Sequence, residues 1–361
     1  MDEIHIAQKL VYRKSDAKLV GYVNLTEVES ELKLLEEKLI GNVKTDLPVA
    51  TCVLAYMIKG VCSSVKELIA AFPVACLKKE QLFERTWAVI SACEIRNIKI
   101  LSVICDGSAV NRAFIGMHTP ATVSDLHSSK HPNLVFDTVN MCAPDRLLYF
   151  IADPPHLLKT IRNCVAKSGQ GKKCTRLLTK GGQFMTWKTI ERLYVEDVQK
   201  TLRQCHKLTS QNVYLNSYTC MNVGYAGQVM SRTVALALKE KNWTGTENMA
   251  NFIMSVNNFF DNLNGAHTNM GKRTGNSRLN PYTSPDDERF EELRSFEKEM
   301  LAWEDEVDKA KVKDNEKEKM LLSRQTLEGI YITINGFIGA VKFMLSIGAK
   351  FINGRVFCPG A

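Results

Sequence analysis

The sequence predicts a mixed α/β core interrupted by an all-α segment and closed by a single returning helix. Three observations predict it. Apolar β-type runs are concentrated before residue 154, helical periodicity dominates from about Val165 to Met320, and an amphipathic stretch, RQTLEGIYITINGFIGAVKFML (324–345), follows a charged interval.

In chain order, LVYRKSDAKLVGYVNL (10–25) reads as two β runs around a polar turn, and PVATCVLAYMI (48–58) as a third, apolar enough to lie centrally. Together they predict an antiparallel meander. Leucines at helical spacing make TEVESELKLLEEKLI (26–40) a helical excursion. KKEQLFERTWAVISACEIRN (78–97) is an amphipathic helix, IKILSVICDG (98–107) a buried strand ending at Asp106, and LLYFIAD (147–153) a strand after a polar loop. That order requires the last strands to run parallel to a central one, with their C-terminal ends converging at one edge. Asp2 and Asp106 are then expected to face each other. Next comes ADPPHLLKTIRN, whose two prolines hold Asp153 and His156 at a defined corner before a helix with Lys159 and Arg162 at its exposed positions. Residues 186–208, 221–240 and 247–264 carry helix periodicity, and the charged stretch 286–319 is expected to be a solvent-facing helix pair or a connector.

A chain of 361 residues, 45% apolar and 24% charged, is long enough for one large or two modest domains, each with a core. The net charge of +8 is unevenly placed: His156 to Lys207 holds twelve Lys or Arg against three acids, and Asp286 to Lys319 fourteen acids against eight bases. A basic middle suits a phosphate-backbone contact; the alternative is a solvated face without a ligand. Eleven cysteines without a Cys-x-x-Cys pair or finger spacing indicate neither zinc nor a disulfide framework, and read as reduced, mostly buried thiols. No apolar signal segment opens the chain. The longest apolar runs, 47–58 and 329–341, are too short for a bilayer and are expected in the core, so no membrane is expected as a partner.

Two carboxylates at neighbouring strand ends, Asp2 and Asp106, meet the minimum for holding divalent metals through hard oxygens; Asp106-Gly107 is equally a common turn. His156 either orients a group near such metals or ties the corner to backbone. Asp261 and Asn264, three apart in FFDNLN, can share one helix face, where a carboxylate accepts two N–H donors of a guanine edge; Asn264 as a helix cap is the alternative. GAHTNMGKRT (265–274) has the wrong spacing and context for a phosphate loop, and no nucleophile elbow is present.

Seven stretches in order, MDEIHI, LVGYVNL, VICDGSAVNR, ADPPHLLKTIRN, MNVGYAGQVMS, NNFFDNLN and LSRQTLEGIYITINGF, resemble P element transposases and the THAP-domain proteins related to them, over nearly the whole chain. The resemblance implies a ribonuclease H-like mixed sheet interrupted by a helical GTP-binding insertion, in a nuclear enzyme that cuts and joins DNA with a metal-bound Asp, Asp, Glu triad using Mg²⁺ or Mn²⁺. It implies Asp2 and Asp106 as the first two acids, His156 near them, and Lys207, Val223, Ser231, Asp261 and Asn264 as guanine-nucleotide contacts, with Asn222 where the family often has lysine. The third acid, in an Asp-x-x-Glu motif, is not among these residues, Glu328 lying too early to replace it, and neither the THAP domain nor the coiled coil is among them. The expected divisions are 1–164 for the first part of the core, 165–320 for the insertion with a charged connector at 286–320, and 321–361 for the returning helix. The reading is a truncated, catalytically incomplete P-element-type transposase with transposon-end DNA and GTP as partners and homo-oligomerisation open; the alternatives are a non-catalytic GTP- or DNA-binding module acting as repressor or host-adopted fragment, and an ordinary ribonuclease H-type hydrolase.

Overall fold

The computed structural model describes residues 1–8, 11–13, 18–23, 49–124, 126, 130–171, 174–241 and 243–358. The expected helix at 26–40 lies outside them. The chain divides into two compact units, Met1–Phe150 and Ile151–Ala361.

The first unit is built on strands β1 (Asp2–His5), β2 (Val11–Arg13), β3 (Lys18–Val20), β4 (Cys52–Lys59) and β5 (Lys66–Val74). The predicted run 10–25 does form two strands, β2 and β3, antiparallel to each other, and just beyond them Tyr22 bridges Val49 antiparallel, whereas β4 itself lies between β1 and β5, antiparallel to both. Among the described residues the meander expected from 10–25 and 48–58 is joined by that one bridge, and the neighbours of β4 along its length are β1 and β5 instead. Strand β5 was hidden in the sequence because it is an edge strand: it is mostly exposed, carries Pro73, and breaks register against β4 between Tyr56 and Met57. On β4, Cys52, Leu54 and Tyr56 alternate inward, and the Tyr56 hydroxyl lies 2.8 Å from Thr86 Oγ1 on helix α1 (Lys79–Ile95).

Strand β6 (Ser102–Cys105), helix α2 (Ala109–Ile115), strand β7 (Asp137–Val139) and strand β8 (Leu147–Ala152) follow, with β8 between β6 and β7 and antiparallel to β7. Glu94, at the end of α1, fixes the approach to β6: it accepts from the Ile100 amide at 2.9 Å, from Asn140 Nδ2 at 3.1 Å and from Arg146 at 2.5 Å. The backbone nitrogen of Met1 donates to the Ile104 carbonyl at 2.8 Å, which sets the start of β1 beside β6. Phe114, Phe150, Trp87 and His118 fill the core, with the Trp87 indole donating to His118 Nε2 at 3.0 Å. Burial holds His118 below the usual histidine range, so it is a neutral core acceptor.

The second unit starts with helix α3 (Pro154–Ala166). Its corner is a capped helix start: Asp153 accepts from the His156 amide, and Pro154 and Pro155 occupy the first two helical positions, where no N–H is needed. The structure corrects the expectation that Lys159 and Arg162 are exposed; both are buried. After the hairpin β9 (Thr179–Lys180) and β10 (Gln183–Phe184) come α4 (Trp187–Val198), α5 (Ser210–Val213), α6 (Val223–Val229), α7 (Arg232–Lys239), α8 (Thr246–Leu263) and α9 (Met270–Thr274). The charged stretch 286–319 forms α10 (Arg289–Lys309) and α11 (Asp314–Met320). Helix α10 is not merely solvent-facing: Phe290, Leu293, Phe296, Met300, Trp303 and Val307 make a continuous buried stripe beneath its charges. Helix α11 buries nothing.

Helix α12 (Arg324–Ser346) is long and apolar enough to cross a membrane, yet fifteen of its 23 residues are buried, so its apolar surface is taken up by the core of this unit. Its Thr333 hydroxyl donates to the Ala152 carbonyl at 2.9 Å, and Gly329 packs so closely that a Cβ there would stand 2.7 Å from Leu157 Cδ2. The chain then returns over the end of α8, where a Cβ on Gly354 would stand 2.6 Å from the Leu263 carbonyl oxygen and 2.8 Å from its carbon. Both atoms are backbone and cannot swing away. Gly354→Ala is expected to cost about 1–3 kcal/mol of unfolding free energy, read as a lower denaturant midpoint at unchanged slope.

Candidate functional site

Two groups of polar side chains stand out, one in each unit. In the first, Asp106 follows β6 directly and its Oδ1 accepts from the Ser108 amide at 2.9 Å and from Asn111 Nδ2 at 2.6 Å. Both donors come from the start of α2, whose own cap is Ser108. The Asp-Gly turn and the site reading are thus compatible, because the turn aims the carboxylate. Asp2 is exposed on β1 opposite Ala55, whereas Glu3 lies opposite buried Leu54 on the inner face. Burial, and next the charge of Asp106, hold the Glu3 carboxyl above the usual glutamate range, with Asp2 adding to the effect. Glu3 is therefore the carboxylate on which the fields of Asp106 and Asp2 both fall. The sequence carried a signal for it in the Asp2-Glu3 pair, since alternation along a strand turns only one of two neighbours inward. Mutually repelling carboxylate oxygens are the hard donor set a divalent cation relieves, and in that respect the residues fit one. Among the described residues no three His, Cys, Asp or Glu side chains form a metal cluster.

In the second unit, α7 and α8 bring Ser231 and Asp261 into one network. Ser231 caps α7, donating to the Gln228 carbonyl at 2.9 Å and accepting from the Val234 amide. The next amide, of Arg232, donates to Asn257 Oδ1 at 3.0 Å, and Asn257 Nδ2 donates to Asp261 Oδ2 at 2.8 Å. Asn276 Nδ2 reaches the same Oδ2, also at 2.8 Å. Asp261 is thereby clamped through one oxygen. Burial raises its pKa, and the two amides and Arg278 pull the other way. Asn264 is the C-terminal cap of α8 through its backbone, its N–H donating to the Asp261 carbonyl at 3.2 Å. Its side chain does no capping: Oδ1 is buried without a hydrogen-bond partner. A clamped carboxylate and an orphaned amide oxygen, three residues apart, are acceptors awaiting N–H donors. Asn257 and Asn276, which set this arrangement, were not read from the sequence; Asn257 stands one helical turn before Asp261, which was the available signal.

Val223 is the half-buried first residue of α6, and Asn222 before it is the cap, accepting from the Tyr225 amide at 3.0 Å. Asn212 Nδ2 donates to Gln228 Oε1 on α6 at 2.6 Å, tying the segment that follows Lys207 to that helix. Lys207 itself is exposed. Of the other cations in the basic middle, Lys180, Arg192 and Arg203 are paired with Glu299, Glu196 and Asp197, while Lys167, Lys188 and Lys200 are exposed.

Comparison with known proteins agrees with this division. Residues 1–118 match the family model of the TNP-like, RNase H N-terminal domain, and residues 155–274 that of the TNP-like, GTP-binding insertion domain. Among solved structures the chain is similar to the Drosophila P element transposase strand transfer complex, with a TM-score of 0.71 and 15% sequence identity over 99% of this chain and 67% of that one. At that identity the likeness is one of fold. Curated proteins give no match. With two models of one family covering about two thirds of its length and a shared fold behind them, the chain belongs to the P-element-transposase-like family, a mixed α/β chain of ribonuclease H-like transposase fold.

Proposed function

We propose that this chain is a P-element-type DNA transposase component that binds GTP in its second unit and acts on transposon-end DNA with a divalent metal, Mg²⁺ or Mn²⁺, in its first. The observation that carries the reading is the pair of acceptors at Asp261 and Asn264 inside the segment that matches the GTP-binding insertion domain. Guanine presents N1–H and N2–H donors on one edge; adenine does not present that pair. Lys207, Val223 and Ser231 would complete the nucleotide contacts. The metal would be held by Asp106 and Asp2 with Glu3 beside them, and when bound it supplies charge stabilisation at the phosphodiester oxygens. The hydrogen bonds from Ser108 and Asn111 that fix the orientation of Asp106 support this reading. Titration calorimetry with GTP and ATP tests the nucleotide half: tight GTP binding with weak ATP binding is expected, and equal affinities would defeat it.

A non-catalytic GTP- and DNA-binding module, acting as a repressor or host-adopted fragment, is the second reading, favoured by the want of a three-ligand metal cluster among the described residues. Metal- and GTP-dependent cleavage of a transposon-end duplex, absent from an Asp106→Asn control, separates the two. Action on chromosomal DNA places the protein in the nucleus, which imaging of the tagged chain checks.

The exposed lysines 167, 188, 200 and 207 are the DNA-facing candidates of the basic middle. Binding through them is expected to be largely indifferent to sequence and to fall steeply with salt, each neutralised phosphate contributing about −0.9 to the log–log slope. Changing all four to Gln should flatten that slope by about three to four; an unchanged slope would remove this segment from the interface.

A further inference from the structure

Among the described residues, helix α3 carries two buried cations with no carboxylate paired to them. Arg162 is 0% exposed and Lys159 7%, and three residues apart they share one helix face. Arg162 Nη2 donates to the carbonyls of Thr219 at 3.2 Å and Cys220 at 3.0 Å, and Asn163 Nδ2 donates to the same Cys220 carbonyl at 3.0 Å. These bonds leave much unused: Arg162 Nε and Nη1 and Asn163 Oδ1 are buried with no hydrogen-bond partner. Burial pulls the Arg162 pKa below the usual arginine value, and the ionisable neighbour opposing that shift is the Cys220 thiol. Taking an ion out of water is offset only by a counter-charge and a full set of hydrogen bonds, and Arg162 has neither.

The bonds Arg162 does make are directional. Thr219–Met221 is a single 3₁₀ turn that delivers Asn222, the cap of α6, and Val223, its first residue. Arg162 and Asn163 therefore fix the carbonyls of the turn that presents Val223. The geometry points to Arg162, with Lys159 and Asn163 beside it, as a positioning residue whose missing counter-charge is the polyphosphate of a nucleotide bound at that turn. This rests on the proposed nucleotide contact at Val223. In the free chain the guanidinium is uncompensated and lowers stability; negative charge arriving at residues 219–223 compensates it, so the same residue raises affinity. Arg162 acts through the turn and through its field, without touching the ligand.

The test compares the full chain with Arg162→Met, which keeps most of the volume without the charge, and Arg162→Lys, which keeps the charge without the fork. Melting temperature is measured without ligand, and affinity for GTP, ATP, GMP and inorganic tripolyphosphate by calorimetry. Arg162→Met is expected to melt no lower than the wild type, to lose about tenfold or more in GTP affinity, and to narrow the GTP-to-GMP affinity ratio, because that ratio reads phosphate charge. Arg162→Lys should recover part of the ratio. A merely structural arginine gives the opposite pattern, a lower melting temperature with the ratio intact, and that result overturns the inference while leaving the GTP reading in place. A wild type that binds tripolyphosphate but does not prefer GTP to ATP overturns the guanine reading and supports the Arg162 role if Arg162→Met weakens tripolyphosphate. A wild type that binds neither overturns both.

Discussion

Asp261→Asn is expected to weaken GTP binding roughly 10- to 150-fold, the range set by losing a hydrogen bond to a charged group, while xanthosine triphosphate loses much less. The structure makes this a clean exchange. Asn257 and Asn276 both donate to Oδ2, so an asparagine that keeps its oxygen there preserves the clamp and changes only the outward atom. An outward NH₂ then meets the N–H of guanine donor to donor, whereas xanthine presents an oxygen where guanine has its amino group. Competition calorimetry with both nucleotides reads the difference; equal losses would reduce Asp261 to a tie between α8 and the loop before Arg278.

The same residue sets a pH dependence. A carboxyl raised above the usual aspartate range stays neutral to a higher pH, and with Oδ2 held by Asn257 and Asn276 the proton sits on the outward oxygen, so only the ionised form accepts a guanine N–H there. GTP affinity should therefore fall on acidification at a pH above that of an exposed aspartate. For stability the sign reverses. The folded state holds its proton above the unfolded pKa, so the contribution of Asp261 is fully present below that value and is lost as pH rises through the folded one. In Asp261→Asn both dependences should vanish, which denaturation and binding across the acidic range would show.

Asp106→Asn is expected to weaken Mn²⁺ binding by at least about tenfold, and towards a hundredfold, since loss of even an outer-sphere partner of a metal ligand commonly costs that much. Ser108 and Asn111 place two donors on Oδ1, and an asparagine oxygen can keep both, so the fold of the first unit should hold while the anionic charge is lost. Electron paramagnetic resonance of free Mn²⁺ measures the affinity directly. Glu3→Gln is the informative companion: if Glu3 shares the ion, it too lowers affinity, and if Asp2 alone does, it does not. Unchanged Mn²⁺ binding in Asp106→Asn would locate the metal elsewhere.

Local chemistry made much of this protein legible in its sequence. The apolar, β-prone run 48–58 announces a strand, the Asp153-Pro-Pro run announces a corner before a helix, and the 3.6-residue repeat of 247–264 announces α8. Each depends on residues within a turn or two of one another. Asp261 and Asn264 are on one such repeat, which is why a guanine edge could be read from FFDNLN at all.

What the sequence determined by itself is therefore the elements, their order and the residue types that suit the chemistry. What the tertiary structure decided is which polar groups are left without partners. Arg162 reads as an exposed cation until Thr219 and Cys220, 57 and 58 residues later, close over it. The charges of α10 read as a solvated pair of helices until its buried stripe is seen. Glu3 becomes distinct from Asp2 only when β4 pairs with β1 and puts Leu54 opposite it. The physical reason is common to all three: burial and field are sums over neighbours distant in the chain, and no local period encodes them.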